Sequence, residues 1–391
     1  MNAMTDTKSS LPDTGHAELK VSSVRKTVLQ ILERGDIRIG GSRPWDIQIH
    51  DERLFERVMS KGTVGLGEGY MEGWWDCGAV DEFFERILYA RKGFRPKPNL
   101  ELILFAVKAK LQNRQTKVLS MGEGRKHYDI GNDLYRAMLD KRMVYTCAFW
   151  KGARNLDEAQ EAKLDLTCRK LGLRPGMRIL DIGCGWGSFA KFAAERYGVQ
   201  VVGITVSQSQ VDLGIELCRG LPVEIRLQDY RNVNEQFDHI VSLGMFEHVG
   251  HKNFREYMLV AHRCLRDQGM FLLHTCGENR SETEIDAWID KYIFPNANIP
   301  SIAQIGAAIE NIFVMEDWHN LSTDYERTLM AWNENFESHW SELSQQYGET
   351  FHRMWRYYLL QCAGGFRARK NQLWQIVLAK NPKTQYQPLR Y

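Results

Sequence analysis

A chain of 391 residues that is 43% hydrophobic and 26% charged is long enough for two cores, and this composition excludes collagen-like, disordered and coiled-coil architectures. The formal net charge of +2 is unevenly spread: Lys and Arg outnumber acids eleven to two from residue 86 to 126, and eight to none from 351 to 391. Such blocks attract nucleic acid or an anionic bilayer, or are solvated helix faces, and charge alone leaves these readings open.

Residues 1–20 are polar, lack the apolar core of a signal peptide and read as a disordered tail; nowhere do eighteen apolar residues run together. The expectation is a protein neither secreted nor membrane-spanning. Eight cysteines, without a C-x-x-C pair or a zinc spacing, predict free thiols in a reducing cytoplasm and no metal site. Val24 to Leu32 reads as a helix, and the alternation of Ile47 and Ile49 after a turn-rich stretch as a strand. A helix follows around Arg53 to Ser60. GTVGLGEGYMEGWWDC, rich in glycine and aromatics, reads as a tight packed loop, and Val80 to Ala90 as an amphipathic helix punctuated by Pro96 and Pro98. The expected organisation is a small α+β domain over 21–95, a basic helical linker over 96–120 and a larger second domain over 121–391. Residues 125–150 are unusually aromatic, and a helix runs from Asp157 to Leu171.

From Arg178 to Tyr197, RILDIGCGWGSFAKFAAERY, a short apolar run stops, meets Gly183, Gly185 and Gly187, and re-emerges with helical spacing. That is a strand, a turn and a helix whose first N–H groups face a ligand, and a nucleotide-like cofactor fits there. Strands then alternate with helices: Val199–Ile204, Val223–Gln228, His239–Leu243 and Met270–His274, separated by helices over Ser207–Arg219 and Asn253–Leu265. This alternation predicts a doubly wound parallel sheet with its ligand at the carboxyl ends of the strands. Asp181, Thr205, Asp229, Glu247 and His274 stand at or just past such ends and are expected to share one crevice. After an insertion around 281–312, strands at Phe313–Glu316 and Leu373–Leu378 are expected to complete a seven-stranded sheet as an antiparallel edge hairpin.

The D-x-G-x-G-x-G spacing from Asp181 resembles the first motif of class I S-adenosylmethionine-dependent methyltransferases. Together with HYDIGNDLY, YTCAFW, VVGITVSQSQ, GMFEHVG, FLLHT, WIDKYIFPN and CAGGFRAR, it makes roughly the last 330 residues resemble the bacterial cyclopropane-fatty-acyl-phospholipid synthase family. The resemblance implies methylene transfer from S-adenosylmethionine to the cis double bond of an acyl chain in an unsaturated membrane phospholipid. It implies a cytoplasmic enzyme held peripherally at the inner face of the membrane, with lipid and not nucleic acid as partner, and it allows a homodimer. A bound bicarbonate would accept the proton, held by Glu247, His274, Tyr325 and the backbone at Cys147 and Cys276. A family member carries Ile where this chain has Cys276. Cys362 stands at the position often treated as the family's active-site cysteine; because a thiolate beside a sulfonium would itself be methylated, it reads as wall rather than reagent. For the cofactor, Tyr145 and Thr146 would close over the methionine moiety. The run Ile179, Leu180, Asp181, Ile182, Gly183, Cys184, Gly185, Trp186 and Gly187 would cradle it. Thr205, Val206, Ser207, Gln208, Ser209 and Gln210 would meet the ribose and adenine, and Tyr230 with Arg231 would flank the base. The acid usual at the end of the second strand is absent, and Thr205 and Gln210 stand there instead.

An isolated alkene is a weak nucleophile, so such a site must hold it against the sulfonium methyl and exclude water that would trap the cation. The rings of Phe149, Trp150, Phe246 and Tyr325 could stabilise that cation by about 0.5 to 2 kcal/mol each. Two other outcomes fit the residues: a related enzyme that leaves a methyl-branched or hydroxylated chain, and a non-enzymatic lipid-binding protein with a relic site.

Overall fold

The computed structural model describes residues 25–92 and 130–390; the tail over 1–20, the linker over 96–120 and most of the first basic block lie outside them. The N-terminal part is a helix over 25–34 (α1), a strand β1 (Gln48–Ile49), helices α2 (Arg53–Lys61) and α3 (Thr63–Met71), a strand β2 (Trp75–Asp76) and helix α4 (Val80–Arg91). β1 pairs antiparallel with β2. The glycine-rich stretch expected to be a loop is therefore helical through Met71. Its glycines answer to packing: a Cβ at Gly67 would lie 2.3 Å from Trp288 Cδ1, so this helix can approach the insertion only without a side chain there.

The second part begins with α5 (Asn132–Met138) and α6 (Leu156–Lys170), then runs β3 (Arg178–Ile182), α7 (Ser188–Tyr197), β4 (Gln200–Thr205), α8 (Gln208–Leu217), β5 (Val223–Leu227), β6 (Phe237–Leu243), α9 (Phe254–Cys264) and β7 (Leu265–Glu278). It ends with α10 (Ala287–Tyr292), α11 (Ile302–Ile309), β8 (Val314–Asn320), α12 (Ser322–Ser338), α13 (Trp340–Arg367) and β9 (Asn371–Ala379). The seven strands are ordered β5-β4-β3-β6-β7-β9-β8. β3 to β7 pair in parallel, whereas β9 is antiparallel to both β7 and β8. β8 and β9 form the expected antiparallel edge pair, joined by two long helices rather than a tight turn, with β9 on the inner side against β7.

Alternate residues of each strand feed two cores, as a parallel sheet covered on both faces requires. Ile179, Val241, Leu272 and Val377 pack with α6 and α7, while Leu180, Ile240, Phe271 and Ile376 pack with α9 and α11. A third, aromatic-rich core joins the N-terminal part to α12 and α13, with Trp75, Trp288, Trp332, Trp355 and Tyr357 all buried.

The basic block at 351–391 is largely spent on this assembly. Arg353 pairs with Asp76, Arg356 with Glu337, Arg390 with Asp317, and Arg367 with Asp81 and Glu326 at 2.8 and 2.6 Å. These cations join α13 and the C-terminal segment to α4, α12 and β8. Arg369, Lys370 and Lys383 stay exposed, so only part of the block forms the free positive surface that its composition suggests.

Candidate active site

A cavity of about 780 Å³ opens at the carboxyl ends of β3, β4 and β6, at the point where the strand order reverses. Its floor is the glycine turn. The N–H groups of Gly183 and Cys184 both donate to the carbonyl of Ile204, at 2.9 and 3.0 Å, which fastens the turn to the end of β4. Gly183 has φ +80° and a Cβ there would meet Met245 at 2.6 Å, so this glycine is required by the protein itself. Gly185 has φ +55° and nothing within 4 Å of its would-be Cβ; a side chain would enter the cavity instead.

Of the residues expected around the cofactor, Tyr145, Thr146, Asp181, Ile182, Gly183, Cys184, Gly185, Trp186, Thr205, Val206, Ser207, Ser209, Gln210, Tyr230 and Arg231 line this cavity. Ile179, Leu180, Gly187 and Gln208 do not; Ile179 and Leu180 are fully buried strand residues facing opposite cores. The Thr205 hydroxyl donates to Gln210 Oε1 at 2.6 Å, so the two residues that replace the usual acid are fixed to each other. Asp229 holds Arg231 at 2.7 Å over the rim. The wall also contains residues that sequence reasoning gave no role: Asn132, Tyr135, Gly244, Met245, His248 and Phe294. Asn132 accepts from the Trp186 indole N–H at 3.1 Å, joining α5 to the glycine turn. Its only sequence signal is the HYDIGNDLY motif that contains it.

The six residues expected to act on the substrate are absent from this cavity wall: Cys147, Glu247 and His274 are buried, whereas Tyr325, Cys276 and Cys362 are half-buried. Glu247 sits in a 3-10 turn after β6 (Phe246–His248), where its Oε1 accepts from the Cys276 N–H at 2.6 Å and its carbonyl accepts from the Asn298 N–H at 2.7 Å. Its other oxygen is buried and has no protein partner. His274 is fully buried with both ring nitrogens unpartnered. Burial, reinforced by the charges of Lys163 and Lys170, holds its pKa well below the usual imidazole range, so the ring is neutral. Burial likewise raises the Tyr325 phenol well above its ordinary value, and Cys276, Cys147, Tyr145 and Glu247 are close enough to push it further. Tyr325, Cys147, Cys276 and Glu247 thus form one buried group, with His274 two residues before Cys276 on the same face of β7. Cys362, on α13, is pushed up to about 12 by burial. Its thiol is protonated at neutral pH, as the reading of wall rather than reagent requires.

The four rings nominated for cation stabilisation separate. Tyr325 stays with the buried group. Phe246 stacks on Phe254 at 4.3 Å in the core facing α9. Trp150 donates its indole N–H to Thr328, and the Arg327 guanidinium already lies over its face at 4.5 Å. Phe149 packs beside His319, 6.2 Å between centroids.

Sheet order, glycine turn and a cavity at the switch point define a class I S-adenosylmethionine-dependent methyltransferase. Residues 115–376 match the family model described as mycolic acid cyclopropane synthetase. Cyclopropane-fatty-acyl-phospholipid synthase of Escherichia coli strain K12 is 50% identical over 351 residues, 90% of this chain and 92% of that protein. The solved structure of the cyclopropane synthase MmaA2 from Mycobacterium tuberculosis superposes with a TM-score of 0.62 at 34% identity, covering 65% of this chain and 96% of that one. The structure of the mycolic acid cyclopropane synthase CmaA1 complexed with SAH and CTAB gives 0.61 at 32% identity, covering 66% and 97%. The chain belongs to the mycolic acid cyclopropane synthetase family.

Proposed function

We infer that this chain is an S-adenosylmethionine-dependent cyclopropane-fatty-acyl-phospholipid synthase, which adds a methylene group across the cis double bond of an unsaturated phospholipid acyl chain. The observation that carries this reading beyond a generic methyltransferase is the buried group beside the cofactor cavity, in which Glu247 Oε2 and both nitrogens of His274 have no protein partner. S-adenosylmethionine supplies the electrophilic methyl. The protein's part is to hold the alkene in a dry site and to lead away one proton so that the ring can close.

We propose that Glu247, His274 and Tyr325, with the backbone at Cys147, hold a bicarbonate; the Cys276 N–H is already given to Glu247 Oε1 and serves to orient that carboxylate. The residues fit an anion that both donates and accepts. Tyr325 is kept protonated and donates, neutral His274 has one N–H to give, and Glu247 Oε2 is an acceptor for an O–H. Bicarbonate would supply a weak base, sufficient for a cationic intermediate that is strongly acidic. Turnover in rigorously degassed buffer should fall and recover on adding bicarbonate, with borate competing. Unchanged turnover under carbonate depletion, with the site shown free of other anions, sinks the bicarbonate reading and leaves Glu247 as the direct base.

We also propose peripheral contact with the bilayer and the division of the chain into parts at 21–95 and 121–391 joined by the basic linker. Among the described residues no helix is long and apolar enough to cross a membrane. With much of the C-terminal basic block paired internally, the electrostatic attraction to anionic lipid is assigned mainly to residues 86–126. Vesicle sedimentation should weaken as salt shortens the Debye length below about 10 Å. Salt-independent binding to neutral vesicles contradicts this.

A further inference from the structure

Lys163 is an unusual residue to find at the centre of α6. Its side chain is fully buried, and its one hydrogen bond runs from Nζ to Thr146 Oγ1 at 2.8 Å. It makes no ion pair among the described residues; the nearby carboxylates of Asp140 and Asp181 act on it only at longer range. Asp140 is moreover occupied, accepting from the N–H groups of Val144 and Arg142 at 2.8 and 2.9 Å. A buried ammonium with no anionic partner is costly unless something at hand compensates it.

What lies at hand is the cofactor cavity. Thr146 and Leu164 line it, and Asp181 lines it beside them. The direction of the Lys163 bond is fixed by chemistry: an ammonium only donates, so Thr146 Oγ1 accepts, and its own proton remains to be given elsewhere. The hydroxyl makes no donation to a protein acceptor among the described residues, which leaves the cavity as its recipient. α6 also grips this loop at a second point, where Gln160 Nε2 donates to the carbonyl of Thr146 at 2.8 Å, so the hydroxyl is held in place. The cavity lining therefore offers a charge-backed donor at Thr146 and a carboxyl group at Asp181, a pattern that suits the opposite charges of an α-amino acid zwitterion.

We propose that Lys163 is a positioning residue for the cofactor: it fixes the Thr146 hydroxyl as a donor to the carboxylate of the methionine moiety and supplies the buried positive charge that this carboxylate neutralises. The proposal rests on the reading of the cavity as the S-adenosylmethionine site. It explains why a lysine is tolerated in the interior without an acidic partner, and it assigns Thr146 a bond direction that a simple wall residue would not need.

Calorimetry with S-adenosylmethionine and with its decarboxylated analogue, which keeps the adenosyl sulfonium and the amine, separates the alternatives. Lys163→Met and Thr146→Val should each weaken S-adenosylmethionine about tenfold to a hundredfold while changing the analogue less than about threefold. The double variant should lose no more than the worse single one, because the two residues act in series. Thr146→Ser should retain the preference for the carboxylate, and should Lys163→Met fail to fold, the two threonine variants carry the test. Equal weakening of both ligands would make Lys163 a structural residue and overturn the proposal, as would additive losses in the double variant. If the unmodified protein binds neither ligand, the cofactor reading itself falls and takes the proposal with it; if it binds both and the variants fail to discriminate, only the proposal falls.

Discussion

The backbone N–H of Cys276 donates to Glu247 Oε1 over 2.6 Å, which ties the turn after β6 to the end of β7 and leaves Oε2 as the free, buried face of the carboxylate. Glu247→Gln can keep the accepting oxygen toward Cys276 while replacing Oε2 with an amide that donates. We expect near-native thermal stability and a kcat lowered by about a hundred to a thousandfold, with little change in the KM for S-adenosylmethionine. Glu247→Ala should lose the same activity and, in addition, about 1 to 3 kcal/mol of stability, because the Cys276 N–H is left buried and unpaired. Steady-state kinetics beside thermal unfolding checks both. A Gln variant with wild-type kcat would remove Glu247 from the chemistry.

Two glycines of the same turn should fail in different ways. Gly183→Ala sets a Cβ 2.6 Å from the side chain of Met245 at φ +80°, so it should lower the melting temperature as well as cofactor affinity. At Gly185 an added Cβ meets no protein atom within 4 Å, so the Gly185→Val side chain should enter the cavity and abolish cofactor binding while the fold survives a strain of about 1 to 2 kcal/mol. Calorimetry showing near-normal affinity in a folded Gly185→Val protein contradicts the cofactor assignment.

Cys362→Ser should keep measurable activity, because a thiol held at about 12 is not a nucleophile at neutral pH. Bulky thiol reagents should still inhibit, by volume. A folded serine variant that binds cofactor yet is as inactive as Glu247→Gln would restore a chemical role for this cysteine.

How much of this was legible in the sequence depended on whether the deciding contacts were local. The βα alternation could be read because strands buried on both faces are short apolar runs, and the carboxyl ends of those strands then located Asp181, Thr205 and Glu247 in advance. The apolar run shows β7 only from Met270 to His274, yet it runs from Leu265 to Glu278 because Leu265 pairs with Phe237 of β6 and β9 pairs along Met270–Glu278. The stretch 62–77 reads as loop because glycine is locally a helix breaker; in the fold the close approach of Trp288 and Leu54 outweighs that propensity. Lys163 could not be singled out at all. A lysine within a charged helix reads as solvated, and only the fold turns it inward.

The buried histidines contribute stability that acid removes, against an opposite contribution from two buried carboxyls. Burial lowers His239 and His319 each to about 4 from an unfolded value near 6.5 and lowers His274 as well, while it raises Asp140 to about 6 and Asp181 to about 7. The histidine contribution is lost as pH falls from about 6.5 toward 4, because the unfolded chain binds protons that the folded protein refuses; the carboxyl contribution runs the other way, because Asp140 and Asp181 keep protons that the unfolded chain releases. Each unit of separation contributes about 1.4 kcal/mol per fully coupled group. Urea unfolding at a series of pH values isolates the histidine part by difference: His239→Gln should lose less stability than the unmodified protein between pH 6.5 and 4, and parallel profiles for the two would contradict the neutral, buried assignment.

The most direct measurement incubates the protein with methyl-labelled S-adenosylmethionine and unsaturated phospholipid vesicles, then analyses the released acyl chains by mass spectrometry and proton resonance. A cyclopropane synthase yields chains that have gained one CH₂ and carry cyclopropane protons in place of vinyl ones. Methyl-branched or hydroxylated chains, or label that never leaves the cofactor, would contradict it.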